Sequence, residues 1–558
     1  MNTSPDQQLQ PSTAVARAVV RALTAAGVRD VVICPGSRSA PLTYALAQAA
    51  AAGRIDTFVR IDERSAAFLA LGLAKGHRIA GHPRPVAVVT TSGSAVANLH
   101  PAFVEAAYAH LPLIALTADR PARLRGTGAN QTLDAQATML PEALTGCDIP
   151  VGAADAEAIA GRCLAAACGA GPGGQPGPVQ INVQFDVPLV PTAAEAADDW
   201  TAELTCPPVP APIPVTEIVE TAQITAAAEA LTAAAGETIV LGGDVHGFPL
   251  AGLAAALEAT GVPILAEPSC PLVDSSAAVP THPQVLEAHP QLLDECRRVV
   301  VIGKPTLFRP DAKLLASDRQ IIRIPAGAEV GLASALDAER DAECDAERPA
   351  GAGRWSGRWI EAGRKLTGTG GKRAEIVQAA LTAAPDAVRP HVYAASSSAI
   401  RVIAETIHAV PVDRRAQVHA SRGLAGIDGL ISTATGFSRA LDPAVPVRLI
   451  IGDLAMLHEI GGLLREAGEE LPALQIIVLN DDGGQIFAGL EHGQDHLVPY
   501  FERYFATPHG RGFATLAAGY GWPHTQVDSA EALARVLAAG EPGIIEVPLP
   551  SVASPAAS

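Results

Sequence analysis

The sequence predicts an α/β protein made of three doubly wound parallel-sheet domains. Three observations carry that expectation. Short apolar, β-branched-rich runs alternate with Ala/Leu-rich stretches of helical length from Pro11 to Val547, the rhythm of parallel strands joined by crossover helices. The 558 residues, at roughly 150 per domain, leave room for three or four separate cores. The alternation also breaks twice, at the Pro-rich Cys206–Val215 and in the Gly/Arg-rich Ala350–Lys372. Domains are therefore expected at 1–198, 199–365 (a central domain with its linkers) and 366–558.

In the first domain, strands are expected at Val28–Cys34, Thr57–Ile61, Pro85–Thr91 and Leu111–Ala118, with a further run at Gly177–Leu189 and a helix over Ser65–Lys75. The prolines of Cys206–Val215 continue neither a helix nor a central strand. Beyond them, strands are expected at Thr238–Leu241, Pro263–Ala266, Arg298–Ile302 and Gln320–Ile324. Gly242–Gly247 follows the first of these but lacks G-x-G-x-x-G spacing, so it reads as a strand-to-helix turn. The third domain starts near Arg373, with strands near Val392–Ala395, Val447–Ile451, Leu474–Leu479 and Gly543–Val547.

Composition excludes several function classes. With 40 Lys and Arg against 58 Asp and Glu, the net charge is −18. Such a chain repels phosphate backbones and anionic lipid, and no Lys/Arg run offsets this. No nucleic-acid partner is expected. Every apolar stretch is interrupted well before the roughly 18 residues of a spanning helix, and the start MNTSPDQQLQ has no basic segment followed by an apolar one. No stable membrane insertion is expected, and the location predicted is cytoplasmic. The 8 cysteines show no C-x-x-C pair and read as reduced thiols, Cys34 among them as a core residue. There is no G-x-S-x-G elbow or P-loop, which removes support for acyl-serine chemistry and P-loop nucleotide hydrolysis.

The most specific signal lies in the third domain. Ile450-Ile451-Gly452-Asp453-Leu454 ends one strand and Val478-Leu479-Asn480-Asp481-Asp482-Gly483-Gly484 ends another, placing two oxygen-rich turns at strand ends. A hard octahedral cation bound together with a diphosphate needs only two or three protein oxygens, the rest coming from phosphate and water. Asp453, Asp481 and the Gly483 carbonyl can supply them, and Gly483 and Gly484 let the backbone come close. Open α/β sheets bind ligands at the carboxyl ends of their strands, which agrees. Taken singly, a Gly-Asp after a strand is a turn. In the first domain Asp62-Glu63 stands where a strand runs into a helix; alone, such a pair reads as charge favourable to the helix dipole.

The pairing of the two turns resembles the thiamin-diphosphate fingerprint, a Gly-Asp-Gly followed some 25 to 30 residues later by Asn-Asn. Leu454 replaces the Gly at its third position and Asp481 its final Asn; Asp for Asn keeps the oxygen ligand. Further strings narrow the resemblance: Cys34-Pro35-Gly36-Ser37-Arg38-Ser39-Ala40-Pro41-Leu42, Thr91–Leu99 (TSGSAVANL), Ala118-Asp119-Arg120-Pro121, Gly128-Ala129-Asn130-Gln131, Arg422–Gly429 (RGLAGIDG), Gly483–Phe487 (GGQIF) and, more weakly, Gly303–Pro310 (GKPTLFRP). Together they look like the menaquinone-pathway SEPHCHC synthases, over nearly the full length. The resemblance implies three domains of the thiamin-diphosphate enzyme type, the first serving the pyrimidine half and the third the diphosphate half of the cofactor.

It also implies that Glu63 hydrogen-bonds the aminopyrimidine ring and promotes deprotonation of the thiazolium carbon. Mg²⁺, with Mn²⁺ as a substitute, would sit on Asp453, Asp481 and Gly483. Gly423, Ile427, Gly484, Ile486, Phe487 and Leu490 would hold or wall the cofactor, although an isolated Ile or Leu reads equally as core. Ser37, Arg38, Arg120, Asn130, Gln131, Arg309, Ser397, Arg401 and Arg422 would contact substrate or intermediate, with the serine register in Ser396–Ser398 open. That family decarboxylates 2-oxoglutarate and adds the remaining four-carbon unit to isochorismate. Both acids are dianions, and the arginines, with their planar forks of donors, suit carboxylates; any one of them alone reads equally as a surface charge. By the same analogy the chain self-associates as a dimer or tetramer. The alternatives are another thiamin-dependent 2-oxo acid decarboxylase, an acetohydroxyacid-synthase-like ligase, or a non-catalytic scaffold of the same fold, against which the intact Glu63, Asp453 and Asp481 argue.

Overall fold

The computed structural model describes residues 9–170, 174–205, 220–342, 352–367, 370–383 and 387–550. Its strands form three all-parallel sheets. The first holds β1 (Asp30–Ile33), β2 (Asp56–Val59), β3 (Val86–Thr90), β4 (Leu113–Asp119), β5 (Thr145–Ile149) and β6 (Val179–Gln184), in the order β2-β1-β3-β4-β6-β5. The second holds β7 (Thr238–Gly242), β8 (Ile264–Ala266), β9 (Arg298–Ile302) and β10 (Gln320–Arg323), in the order β10-β9-β7-β8. The third repeats the first's order with β11 (His391–Ala394), β12 (Gln417–Ala420), β13 (Val447–Gly452), β14 (Leu474–Asn480), β15 (His524–Gln526) and β16 (Gly543–Pro548), as β12-β11-β13-β14-β16-β15.

These runs become buried strands because both faces of a parallel sheet are covered by crossover helices, so continuous Val/Ile/Leu is tolerated on either face. Val31 and Ile33 face one apolar cluster of the first sheet, with Val89, Leu116 and Ile181, whereas Val32 faces another, with Val88, Ala115 and Phe103. In the third sheet Gly452 pairs with Leu479 and Asn480 with Pro548, so β13 and β14 end side by side.

By contact the chain forms two compact units, Met1–Ile213 with Asp428–Asp442 and Glu459–Pro472, and Pro214–Ile427 with Pro443–His458 and Ala473–Ser558. Within the first, the helix Glu63–Ile79 crosses the helix Leu430–Ala440 at backbone distance. A Cβ on Gly72 would lie 2.0 Å from the Thr433 carbonyl oxygen, and one on Gly436 2.1 Å from that of Leu69. Only glycine fits at either place.

Two sequence expectations meet the structure differently. The Pro-rich Cys206–Val215 lies outside the described residues. Ala350–Lys372, expected as a linker, carries the helix Ala352–Leu366. Trp355, Trp359 and Ala362 recur at helical spacing and are buried against Ile239, Leu265 and Val299 of the second sheet, and the Trp355 indole N–H donates to the Thr238 carbonyl at 2.9 Å. The glycines and arginines that suggested a linker sit largely on the opposite face.

Candidate active site

In a sheet ordered 2-1-3, the chain leaves the first strand in one direction and returns on the other side, opening a crevice beyond the strand ends. In the third sheet that crevice lies between β11 and β13. β11 runs into Ser396–Ser398, and β13 into Asp453. Ser397 adopts φ 81° at the start of the helix Ser398–Thr406, and its carbonyl accepts a 2.6 Å bond from Arg401 Nη1.

Asp453 is 2% exposed and opens the short helix Asp453–His458. Its Oδ1 accepts from the Leu454 N–H at 2.7 Å, and its Oδ2 accepts from the Gly483 N–H at 2.8 Å and lies 3.0 Å from His509 Nε2. The turns after β13 and β14 are thereby brought together, as the motif spacing requires. Asp481 is buried and paired with Arg373. Burial pushes its carboxyl up from the ordinary range, Arg373 opposes that, and Asp453 adds to it. Two carboxylates that repel each other in a dehydrated corner are what a divalent cation would stabilise. At Gly483 φ is +132°, and a Cβ would lie 2.2 Å from the Ala506 carbonyl oxygen; no side chain fits. Gly484 donates to the same oxygen at 2.6 Å. The residues present therefore fit a cation held with a diphosphate.

Ile486 and Phe487 lie in the short turn Gln485–Gly489 that follows. Phe487 meets Phe505 edge-on at 5.8 Å. Ile427 and Leu490 are 37% and 36% exposed, so neither is a core residue of the chain as it stands.

A second cluster in the same unit collects arginines. Arg422 is 5% exposed, and its Nη2 donates to Thr306 Oγ1 at 2.7 Å. Burial lowers the Arg401 pKa, and the nearby Arg422 and Arg309 lower it further. Arg309 itself is engaged in a two-point pair with Glu491, at 2.6 and 3.2 Å. Gly423 offers its carbonyl to the Lys304 ammonium.

In the first unit, Glu63 is the first residue of the helix Glu63–Ile79, whose N-cap Asp62 accepts from the Arg64 and Ser65 N–H groups. Glu63 is half-buried and turned toward Asn98 Nδ2, 3.5 Å from its Oε2. Arg38, Arg120 and Gln131 gather beyond the ends of β1, β3 and β4. Arg38 Nη1 donates to the Phe185 carbonyl at 2.7 Å, and Arg120 Nη1 donates to Ser92 Oγ at 2.6 Å and to the Gln131 carbonyl at 2.5 Å. Burial lowers the Arg38 pKa, and the nearby Arg120 lowers it further. Ser37 lies at the start of this cluster in sequence, and Asn130 is exposed beside Gln131.

Sequence reasoning missed His509, Arg373 and Glu267. His509 and Arg373 lie far along the chain from the turns they touch and carry no local motif. Glu267 directly follows β8, and only its place after an apolar strand could have singled it out.

A family model described as the N-terminal TPP binding domain of thiamine pyrophosphate enzymes matches residues 13–139, and the corresponding C-terminal TPP binding domain matches residues 402–547. A 2-succinyl-5-enolpyruvyl-6-hydroxy-3-cyclohexene-1-carboxylate synthase of Kineococcus radiotolerans is 40% identical, covering 95% of this chain and 94% of the relative. The chain belongs to this synthase family. Proteins of the same name from Arthrobacter sp. and Renibacterium salmoninarum are 40% and 41% identical over 95% and 94% of the chain, and 88% and 91% of their own lengths. The first matched segment contains Ser37, Arg38, Glu63, Arg120, Asn130 and Gln131, and the second runs from just after Arg401 through Leu490 and the metal-type turns. No described helix is long and apolar enough to cross a membrane.

Proposed function

We propose that the chain joins a succinyl unit, made by decarboxylating 2-oxoglutarate, to isochorismate, releasing CO₂ and forming the product for which its relatives are named. The observation that carries this reading is the near end-to-end similarity to synthases of that name. The name itself supports the substrates: a four-carbon succinyl group on an enolpyruvyl-hydroxycyclohexene carboxylate is what remains when a five-carbon 2-oxo diacid loses CO₂ and adds to isochorismate.

Thiamin diphosphate, when bound, supplies the electron sink for the decarboxylation. Asp453, Asp481 and the Gly483 carbonyl would hold Mg²⁺, or Mn²⁺ in its place, and the two carboxylates beside a glycine backbone support that assignment. Gly423, Ile427, Gly484, Ile486, Phe487 and Leu490 would hold and wall the cofactor, which gives the exposed Ile427 and Leu490 a partner. Glu63 would share a proton with the aminopyrimidine nitrogen, a role suited to a half-buried carboxyl at a helix start.

Arg401 and Arg422, with Ser397, would take the oxoglutarate-derived carboxylate. Arg38 and Arg120, with Ser37, Asn130 and Gln131, would orient isochorismate. The lowered pKa values of Arg38 and Arg401 support a carboxylate at each cluster, because crowded, dehydrated guanidinium groups gain most from one; the division between the two substrates follows the family resemblance. Arg309 would join once it leaves the exposed Glu491, a pair that costs little to open. The domain division at 1–198, 199–365 and 366–558, a cytoplasmic location and a dimer or tetramer complete the reading, the assembly resting on the family pattern in which different subunits supply the two cofactor halves.

Donor choice tests it. With thiamin diphosphate and Mg²⁺ present, CO₂ release is expected from 2-oxoglutarate and not from pyruvate or 2-oxobutyrate. Preference for pyruvate would instead support an acetohydroxyacid-synthase-like ligase.

A further inference from the structure

Glu267 is fully buried at the carboxyl end of β8. Its Oε1 accepts two short hydrogen bonds, from the Thr306 N–H at 2.6 Å and the Leu307 N–H at 2.5 Å, while its Oε2 is buried and bonded to no described protein group. A carboxylate that spends one oxygen on two adjacent backbone donors fixes the conformation of their loop.

That loop is the one that reaches the arginine cluster. Thr306 Oγ1 receives Arg422, and Lys304 reaches the Gly423 carbonyl. On the loop's other side the Lys304 N–H donates to the Asp244 carbonyl at 3.0 Å, and a Cβ on Gly243 would lie 2.0 Å from Pro305 N. The loop is thus clamped from β7, from β8 and from the turn after β12, and it leads directly into Arg309.

The charges around Glu267 come from several elements. Arg422 lies on the turn after β12, and Arg401 on the helix Ser398–Thr406 that follows β11. Asp311 stands on the helix Arg309–Leu315, with His282 3.2 Å away. Beside the neighbouring buried Cys270 thiol stand Asp244 and Glu329. Burial pushes the Glu267 carboxyl up to about 8, while the Leu307 and Thr306 N–H groups and Arg422 oppose the shift and Asp311 adds to it.

We infer that Glu267 is a positioning residue for the substrate-carboxylate site: it sets the Lys304–Leu307 loop against Arg422 and Gly423, and its proton tunes the charge that Arg309, Arg401 and Arg422 offer an incoming dianion. This rests on the reading of those arginines given above. A protonated Glu267 leaves the cluster fully cationic; an ionised one competes with the substrate carboxylate. Dicarboxylate binding therefore takes up a proton at Glu267, and affinity falls as pH rises through its titration.

The test uses the full chain with thiamin diphosphate and Mg²⁺, and glutarate as the probe, a dicarboxylate with no 2-oxo group to react. From pH 7 to 9 the wild type is expected to lose about fivefold in glutarate affinity by calorimetry, the scale of one partly screened charge contact. Glu267→Gln, whose amide oxygen can still accept both loop N–H groups, should bind with little pH dependence. Thr306→Val should bind more weakly at every pH while keeping the wild-type slope. Infrared difference spectra of wild type against Glu267→Gln should show a protonated carboxyl band that disappears as pH rises through the same range. An unchanged slope in Glu267→Gln, or no such band, overturns the inference. Retained wild-type glutarate affinity in Arg422→Ala would contradict the reading of the arginines instead, with the infrared band still deciding the protonation of Glu267.

Discussion

Asp453 illustrates how a residue's neighbours define its chemistry. Its two oxygens already take the Leu454 and Gly483 N–H groups, so the carboxylate is pinned rather than free to rotate, and a cation would find it in place. Asp453→Ala is expected to weaken cofactor binding in the presence of Mg²⁺ by about 2 kcal/mol or more, the scale of losing a charged contact in a buried site. Titrations of Mg²⁺ and thiamin diphosphate unchanged in a folded Asp453→Ala protein would remove Asp453 from the metal site. Glu63 is the complementary case, half-buried with one weak neighbour in Asn98. Glu63→Gln should keep fold and cofactor affinity while slowing exchange of the thiazolium ring hydrogen by about a hundredfold, the contribution of one general acid–base group. NMR exchange at the wild-type rate would end that assignment.

At the scale of elements, Glu459 ties together pieces distant in sequence. It is 1% exposed. Its Oε2 accepts from the Ile431 N–H at 2.6 Å and the Ser432 N–H at 3.1 Å, capping the helix Leu430–Ala440, and its Oε1 takes the Ser432 and Ser65 hydroxyls. Burial nonetheless raises the carboxyl from 4.5 to about 7, against these hydrogen bonds. A carboxyl with a raised native pKa binds a proton that the unfolded chain has already released, so its contribution is complete below about pH 4.5 and lost as pH rises through about 7, on the order of 3 kcal/mol in all. Glu459→Gln should flatten that part of the stability profile, narrowing the wild type's decline between pH 5 and 8 in denaturant titrations. Parallel profiles for the two proteins would rule out titration of Glu459.

The elements also show what the sequence could reveal. Thirteen of the expected apolar runs match strands, because parallel central strands are marked by unbroken Val, Ile and Leu. The three strands not anticipated, β5 (TGCDI), β12 (QVHA) and β15 (HTQ), are all sheet edges, where half the burial is missing and polar residues are tolerated. The helix Ala352–Leu366 escaped because composition suggested a linker while Trp355 and Trp359 set the period. Within the site, motifs next to strand ends were legible and brought Asp453 to Gly483 and Arg120 to Gln131. His509, Arg373 and Glu267 were not, since their contacts are made by the fold rather than by neighbours in sequence.

For the molecule as a whole, the first and third sheets share one strand order and carry their motifs on the same side, beyond the carboxyl ends of the strands. Two similar scaffolds in one chain can present different chemistry, a carboxyl and two arginines on one, a metal-type turn and an arginine cluster on the other, while the rest of each sheet is committed to its core. Net charge −18 makes those cationic clusters stand out, because two dianionic substrates would otherwise be repelled. The central claim concerns the carbon–carbon bond formed between the substrates. Mass spectrometry of the products after incubation with thiamin diphosphate, Mg²⁺, 2-oxoglutarate and isochorismate tests it most directly: the account predicts one adduct containing the whole of isochorismate and the four succinyl carbons, with CO₂ released in equal amount, whereas succinic semialdehyde alone, or isochorismate recovered unchanged, would contradict it.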